Sequence, residues 1–327
     1  MSAVLDDMDS RPGSTTSLLR TVIGLYLRDA GGWMSAKDIV ALMEALGTTG
    51  TVTRTALGRL RKKDVVLQET RAGVPGFTLT DGAATMLARG DRRIYNPRSM
   101  SLEDPWCLIS FSIPETEREK RHQLRRRLHW IGCGTVAAGL WICPDSLRGE
   151  VEEILMDLSL RDMATIFVTG TPMVGGSLRD AASKWWDLEA VAALHRDFIR
   201  EHGSAGATID GAPASPVRTV EPSAEAFSTY VQCIDRWRII PYLDPGLPPA
   251  FLPEDWPGAE GSALFSRTVA AYAEPSAEFV RRTLKESQAL PSPDWAPVLS
   301  LTCTALRDCT AQGWSAKSTA MIRPLLG

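Results

Sequence analysis

Little in this sequence invites a metal, a disulfide network or a membrane. Its six cysteines, Cys107, Cys133, Cys143, Cys233, Cys303 and Cys309, stand far apart, with no C-x-x-C pair. That spacing excludes a zinc ribbon and a dense disulfide scaffold and leaves reduced, mostly buried thiols as the expectation. No apolar run approaches the roughly 18 residues that a membrane span needs. The start of the chain carries Asp6, Asp7 and Asp9 among Ser, Thr, Gly and Pro, not the basic and then apolar order of a signal peptide, so a soluble, cytoplasmic protein is expected. Only four histidines occur, His122 with His129 and His195 with His202. Each pair shares a helix face, but solvent-facing histidines and no metal are expected. The sequence also lacks G-x-S-x-G, G-x-x-x-x-G-K-[ST], H-E-x-x-H and a Gly-rich dinucleotide fingerprint, and Gly132, Gly134 and Gly139 have the wrong spacing for the last. No cofactor and no catalytic residue is expected.

With 327 residues the chain exceeds one ordinary hydrophobic core, so two or three domains are expected. A net charge of −3 argues on average against a nucleic-acid partner, but the average hides a local asymmetry. Between Leu46 and Lys63 there is no acidic residue, whereas Arg54, Arg59, Arg61, Lys62 and Lys63 all fall there.

Periodicity places that segment in a recognisable order. After a disordered tail (1–16), apolar positions recur at helical spacing over 17–29. Gly31 and Gly32 break the pattern, and Ser35 is the candidate N-cap of a second helix ending near Leu46. A Gly and Thr turn leads to a third helix over 51–63, with Val52, Ala56, Leu57 and Leu60 as its inner stripe. Two short strands follow, 65–70 and 77–80, joined by a turn-rich tip over 71–76. This is the order of a winged helix-turn-helix (17–98). A polar connector over 89–105 leads to β-α-β-α-β over 104–180, with the middle strand at 136–142. That pattern is close to a ferredoxin-like unit with one strand unplaced. The remainder, 181–327, reads as mainly helical: a helix over 181–201, a linker-like Gly, Ala and Pro-rich gap over 203–216, and a Pro-rich break over 241–257. The fold class is α+β.

Turning the third helix so that its stripe faces inward leaves an outer face of Arg, Thr and Lys, able to neutralise phosphates and to donate to base edges. The candidate DNA-binding residues are Thr51, Thr53, Arg54, Thr55, Arg59, Arg61 and Lys62, with Arg71 at the hairpin tip. Gly58 on that face costs about 1 kcal/mol of helix propensity and permits a close approach to DNA.

The stretch V-T-R-T-A-L-G-R-L (52–60) resembles the recognition helix of the PaaX family of repressors of phenylacetate-type catabolic genes. So do W-C-L-I-S-F-S-I-P-E (106–115), G-C-G-T-V-A-A-G-L-W-I-C-P (132–144), W-D-L (186–188) and R-I-I-P-Y-L-D-P-G-L-P-P-A-F-L-P (238–253). The resemblance runs from about Ser17 to Arg282. It implies a winged helix, a ferredoxin-like middle domain, a helical C-terminal domain, a homodimer, double-stranded operator DNA as partner, and release by an acyl-CoA such as phenylacetyl-CoA. Trp185 stands where the family often has Cys, and the tail beyond about 286 lies outside the match. The middle domain also resembles small CRISPR-associated endoribonucleases, which use an Asp at the end of the first strand, where this chain reads Ser110-Phe-Ser-Ile-Pro114. An enzyme acting on acyl-CoA or RNA is therefore only the alternative reading.

An acyl-CoA pairs phosphates with an apolar group, so its site joins Arg or Lys to aromatic walls. Two segments have that chemistry: Arg236, Trp237 and Arg238 with Tyr242, and Arg126 beside Trp130.

Overall fold

The computed structural model describes residues 11–97, 99–209 and 220–285. The expected tail ends early. The Ser14 side chain accepts the Ser17 N–H and caps α1 (Thr15–Val22), so the helix begins ahead of Ser17. Leu18, Leu19 and Val22 are buried, and the helix widens into a π-helical stretch, Ile23–Leu27, before Gly31 and Gly32 end it at positive φ. A short strand follows that periodicity did not reveal, β1 (Trp33–Ser35), buried at every position. Ser35 then caps α2 (Ala36–Ala45) as expected, accepting from the Asp38 N–H. Next come α3 (Gly50–Lys62), β2 (Val66–Arg71) and β3 (Val74–Leu79).

These strands form an antiparallel sheet in the order β1-β3-β2. The hairpin tip is tighter than the expected 71–76. Ala72 and Gly73 alone make the turn, with φ of 48° and 80°, the backbone of a two-residue type I′ turn. Pro75 and Gly76, which look like turn residues, lie within β3. Strand β1 reaches only Gly76 on that side, so Pro75 lacks an N–H where β3 is locally an edge. Gly76 is required by a close approach: a Cβ there would lie 2.4 Å from the Trp33 ring.

A helix, α4 (Asp81–Tyr95), occupies much of the expected connector. Its glycines and its small buried positions, Ala83 and Gly90, disguise the pattern. Then come β4 (Trp106–Phe111), α5 (Arg118–Trp130), β5 (Gly134–Ala137), β6 (Leu140–Pro144), α6 (Arg148–Asp157) and β7 (Ala164–Thr169). The single expected strand over 136–142 is thus a hairpin, β5 and β6, which supplies the unplaced strand. Four antiparallel strands result, in the order β5-β6-β4-β7. One sheet face packs Cys107, Ile109 and Phe111 against Leu124 and Leu128 of α5 and Val151 and Leu155 of α6. The other packs Trp106 and Ile142 against Trp186 and Phe251.

The helix expected over 181–201 is two. Helix α7 (Leu178–Trp185) stops where Trp186 turns extended, because its indole lies against Gly134 and donates to the Gly132 carbonyl at 2.9 Å. Helix α8 (Leu188–Ile209) then runs on into the expected linker, the rest of which lies outside the described residues. Helices α9 (Ala224–Trp237), α10 (Ile240–Leu243) and α11 (Gly258–Lys285) complete the chain as described, with the Pro-rich break between α10 and α11.

The N-terminal region does not stand apart. Helix α1 packs on α9, and α2 packs on α9 and α11. At the α1–α9 seam the buried Asp235 carboxylate accepts from the Ser17 hydroxyl at 2.5 Å, the Thr21 hydroxyl at 3.0 Å and the Gly13 N–H at 2.7 Å. Arg238 pairs with Asp235 at 3.4 Å and donates to the Ser17 hydroxyl at 2.9 Å.

Candidate nucleic-acid interface

Helix α3 buries Thr53, Ala56, Leu57 and Leu60, an i, i+3, i+4, i+7 stripe. The phase differs by one position from the sequence reading. Val52, expected inside, is 47% exposed, and Thr53, expected on DNA, is fully buried. Thr53 tolerates burial because its hydroxyl donates to the Thr49 carbonyl at 3.1 Å. It therefore leaves the candidate set.

The other candidates on α3 all reach solvent. Thr51, Thr55, Gly58 and Lys62 run down the middle of the outer face, flanked by Arg54 and Arg61 on one side and Arg59 on the other. A Cβ at Gly58 would meet nothing within 4 Å, so the glycine leaves a flat spot. Among the described residues, Arg54, Arg59 and Lys62 have no acidic partner, while Arg61 donates to the Gln68 side chain at 2.8 Å. Arg71 sits just before the two-residue tip, exposed but engaged: it pairs with Glu69 at 3.0 Å, and its guanidinium lies 5.5 Å from the Trp33 ring centroid.

The effector candidates separate. Arg236 and Arg238 do not converge, because helical positions two apart point to nearly opposite sides. Arg236 pairs with Glu201 at 2.8 Å, and Arg238 belongs to the Asp235 seam. Trp237 is core, stacked 4.7 Å from Phe265 and donating to the Ile94 carbonyl. The structure does not bring the Arg236 and Arg238 guanidinium groups together. Trp130 and Tyr242, by contrast, line one cleft of about 280 Å³ where α4, α5, α6 and α10 meet. Arg126 is exposed and outside that lining.

The sequence reading missed most of this cleft. Its cations are Arg89, Arg92 and Arg93 of α4 and Arg127 of α5, and its acids include Glu150, Glu153 and Asp157 of α6. Burial lowers the pKa of Arg127, with Asp157 opposing that shift at 3.4 Å. The signal was present in part, since Arg89, Arg92 and Arg93 share a face once α4 is recognised as a helix.

Two of the expectations for titratable groups are settled differently. Cys107, Cys133, Cys143 and Cys233 are free and buried, as expected, while Cys303 and Cys309 lie outside the described residues. His122 and His129 are exposed, but His195 and His202 are buried, against expectation. His195 is held at 2.9 Å by Asp244, and the His202 ring packs on Phe198. Among the described residues no group of His, Cys, Asp or Glu could hold a metal ion, and no helix is long and apolar enough to cross a membrane.

Comparison with known proteins agrees with this architecture. Three family models match in chain order: PaaX-like protein over residues 14–83, PaaX protein central Cas2-like domain over 99–181, and PaaX-like protein C-terminal domain over 186–282. The chain belongs to the PaaX family. Its membership supports a regulator and not an enzyme. Transcriptional repressor PaaX of Escherichia coli (strain K12) is 27% identical over 251 residues, 76% of this chain and 77% of the relative. An uncharacterised protein, Rv0674, from Mycobacterium tuberculosis shares the fold with a TM-score of 0.50 and 21% identity, over 79% of this chain and 96% of that one.

Proposed function

We propose that this PaaX family member is a cytoplasmic transcriptional repressor that binds double-stranded operator DNA as a homodimer. The observation that carries the reading is the outer face of α3, which is basic, free of acidic side chains and bordered by a hairpin. In this reading 11–97 is a winged helix, with α3 in the major groove and β2–β3 as the wing. The middle region is a ferredoxin-like module, supported by its β-α-β-β-α-β order. A two-fold dimer follows from the small contact area of one such reader. The dimer is further supported by the open edge of β7, where Phe167 and Val168 are about half exposed and no charge protects the strand. Operator binding is relieved by a small metabolite, with an aromatic acyl-CoA such as phenylacetyl-CoA as the first choice, on the strength of the family resemblance.

Footprinting and gel shifts on DNA upstream of the chain's own gene test the reading. Arg54→Ala and Arg59→Ala each lower operator affinity, by about 1–3 kcal/mol where the side chain makes a bidentate base contact. Unchanged affinity in a folded double variant overturns it.

A further inference from the structure

We infer that the cleft between α4, α5, α6 and α10 binds a small anion carrying a flat ring, and that the anion releases α4 by exchanging with a carboxylate of α6. The inference rests on the repressor reading above and specifies its regulation. Two flat side chains, Trp130 and Tyr242, stand in the cleft walls. Along one side α4 presents three guanidinium groups. Arg89 is tied to Glu153 at 3.0 Å. Arg93 is tied to Glu150 by both carboxylate oxygens, at 2.9 and 3.1 Å, and lies 4.8 Å from the Tyr242 ring centroid. Arg92, one turn from Arg89, is exposed and has no ion pair among the described residues.

An incoming anion therefore finds one uncommitted guanidinium next to one shared with Glu150. An oxyanion that bridges Arg92 and Arg93 displaces the Glu150 carboxylate, because a planar guanidinium offers its paired donors to one bidentate partner at a time. Losing that partner removes one of the two ion pairs that tie α4 to α6 and leaves the exposed Arg89–Glu153 pair to hold them. The consequence reaches α3 through one side chain. Thr80 caps α4 by accepting the Ala83 N–H at 3.1 Å, and its hydroxyl donates to the Asp64 carbonyl at 2.7 Å, just past the end of α3. Its own N–H donates to the Val65 carbonyl. A shift of α4 thus pulls on the chain that leaves α3.

A volume of about 280 Å³ lies at the lower limit of small-molecule pockets, roughly 300–1,000 Å³. It suits a ring and its anionic group, and the rest of a whole coenzyme A would extend out of the cleft. An aryl carboxylate and the adenosine phosphate end of coenzyme A share this chemistry. The ligand releases DNA only to the extent that it binds the unlatched state more tightly.

Calorimetry on the full chain with phenylacetate, free coenzyme A and phenylacetyl-CoA tests the cleft without DNA, and anisotropy on a labelled upstream fragment tests its effect. At least one probe is expected to bind and to lower operator affinity about tenfold, equal to 1.4 kcal/mol of coupling. Binding of phenylacetate identifies the carboxylate source, and equal binding of both coenzymes identifies the adenosine end. Arg92→Ala is expected to weaken that probe about tenfold. Glu150→Gln, which removes the anion paired with Arg93 while the Ile131 and Pro241 carbonyls still hold its guanidinium in place, is expected to tighten the probe and to weaken operator binding before any probe is added. If no probe binds, or if both variants match the parent toward a probe that does, the inference is overturned while operator binding still stands. A chain that binds a probe through Arg92 but never binds DNA overturns the repressor reading instead.

Discussion

Helix α5 carries six Lys and Arg side chains where α3, of the same length, carries four, and the two put them to different use. On α5, Arg118 and Arg121 pair with Glu115, Lys120 pairs with Glu117, Arg127 pairs with Asp157, and Arg125 donates to the Ala138 carbonyl. Only Arg126 is exposed without an acidic partner among the described residues. On α3, Arg54, Arg59 and Lys62 face solvent and pair with no carboxylate among the described residues. A cation that already holds a carboxylate must give it up before it can neutralise a phosphate, whereas an unpaired one releases only its water and counterions. In the proposed reading, the distinction between a nucleic-acid face and an ordinary solvated helix lies in the neighbouring acids, and a count of arginines does not reveal it.

The most severe way to probe held charge is to orphan it. Asp235→Ala leaves Arg238 buried without its carboxylate and removes the acceptor for Ser17, Thr21 and Gly13. A loss of about 3–5 kcal/mol is expected in urea unfolding. A loss below that of an exposed pair would show that the seam is dispensable. On the free side of the comparison, Lys62→Ala lowers operator affinity at every sequence alike and reduces the slope of log affinity against log salt by about 0.9. Titration across salt concentrations measures it, and an unaltered slope would place Lys62 off the phosphates. On the held side, Arg118→Ala with Arg121→Ala changes stability by about 0–1 kcal/mol and leaves operator affinity alone. A fall in affinity as large as that of Arg54→Ala would dissolve the contrast between the helices.

The smallest expected effect concerns a group held neutral. Burial keeps the His202 imidazole below its ordinary value of 6.5, so the unfolded chain takes up the proton first. The stability this confers is present above pH 6.5 and is lost as the pH falls below it. Replacing His202 by Phe flattens that acid slope in unfolding curves recorded on either side of 6.5.

Elements whose local pattern agrees with their environment were legible in the sequence. Ser35 caps α2, and the apolar stripe of α3 is nearly right because Ala56, Leu57 and Leu60 hold the period. The error of phase at Val52 and Thr53 arises because a threonine that satisfies its hydroxyl within its own helix can be buried like a valine. The β5–β6 hairpin escaped notice because its turn, at Ala138 and Gly139, contains no Asn, Asp or Pro. Pro75 and Gly76 misled in the opposite sense, since Gly76 answers to the ring of Trp33 and not to a turn. The cleft was the least legible feature. Arg93, Trp130, Glu150 and Tyr242 lie far apart in the chain, and only tertiary packing makes them neighbours. The Arg-Trp-Arg run at 236–238 drew attention by closeness in the chain, but positions two apart on a helix point to nearly opposite sides.

The Asp235 seam also bears on how the protein can be recombined. Regulators are often imagined as interchangeable readers and sensors, joined by a tether that can be cut and respliced. Here the carboxylate that satisfies α1 belongs to α9, more than two hundred positions later in the chain. A chimera that grafts 11–97 onto another sensor inherits Ser17 and Thr21 facing a surface without Asp235, and the donor sensor is left with an unanswered buried pair. If α3 reads the operator as proposed, exchange of specificities between such proteins proceeds by substitutions on α3, within an intact seam, and not by shuffling whole segments.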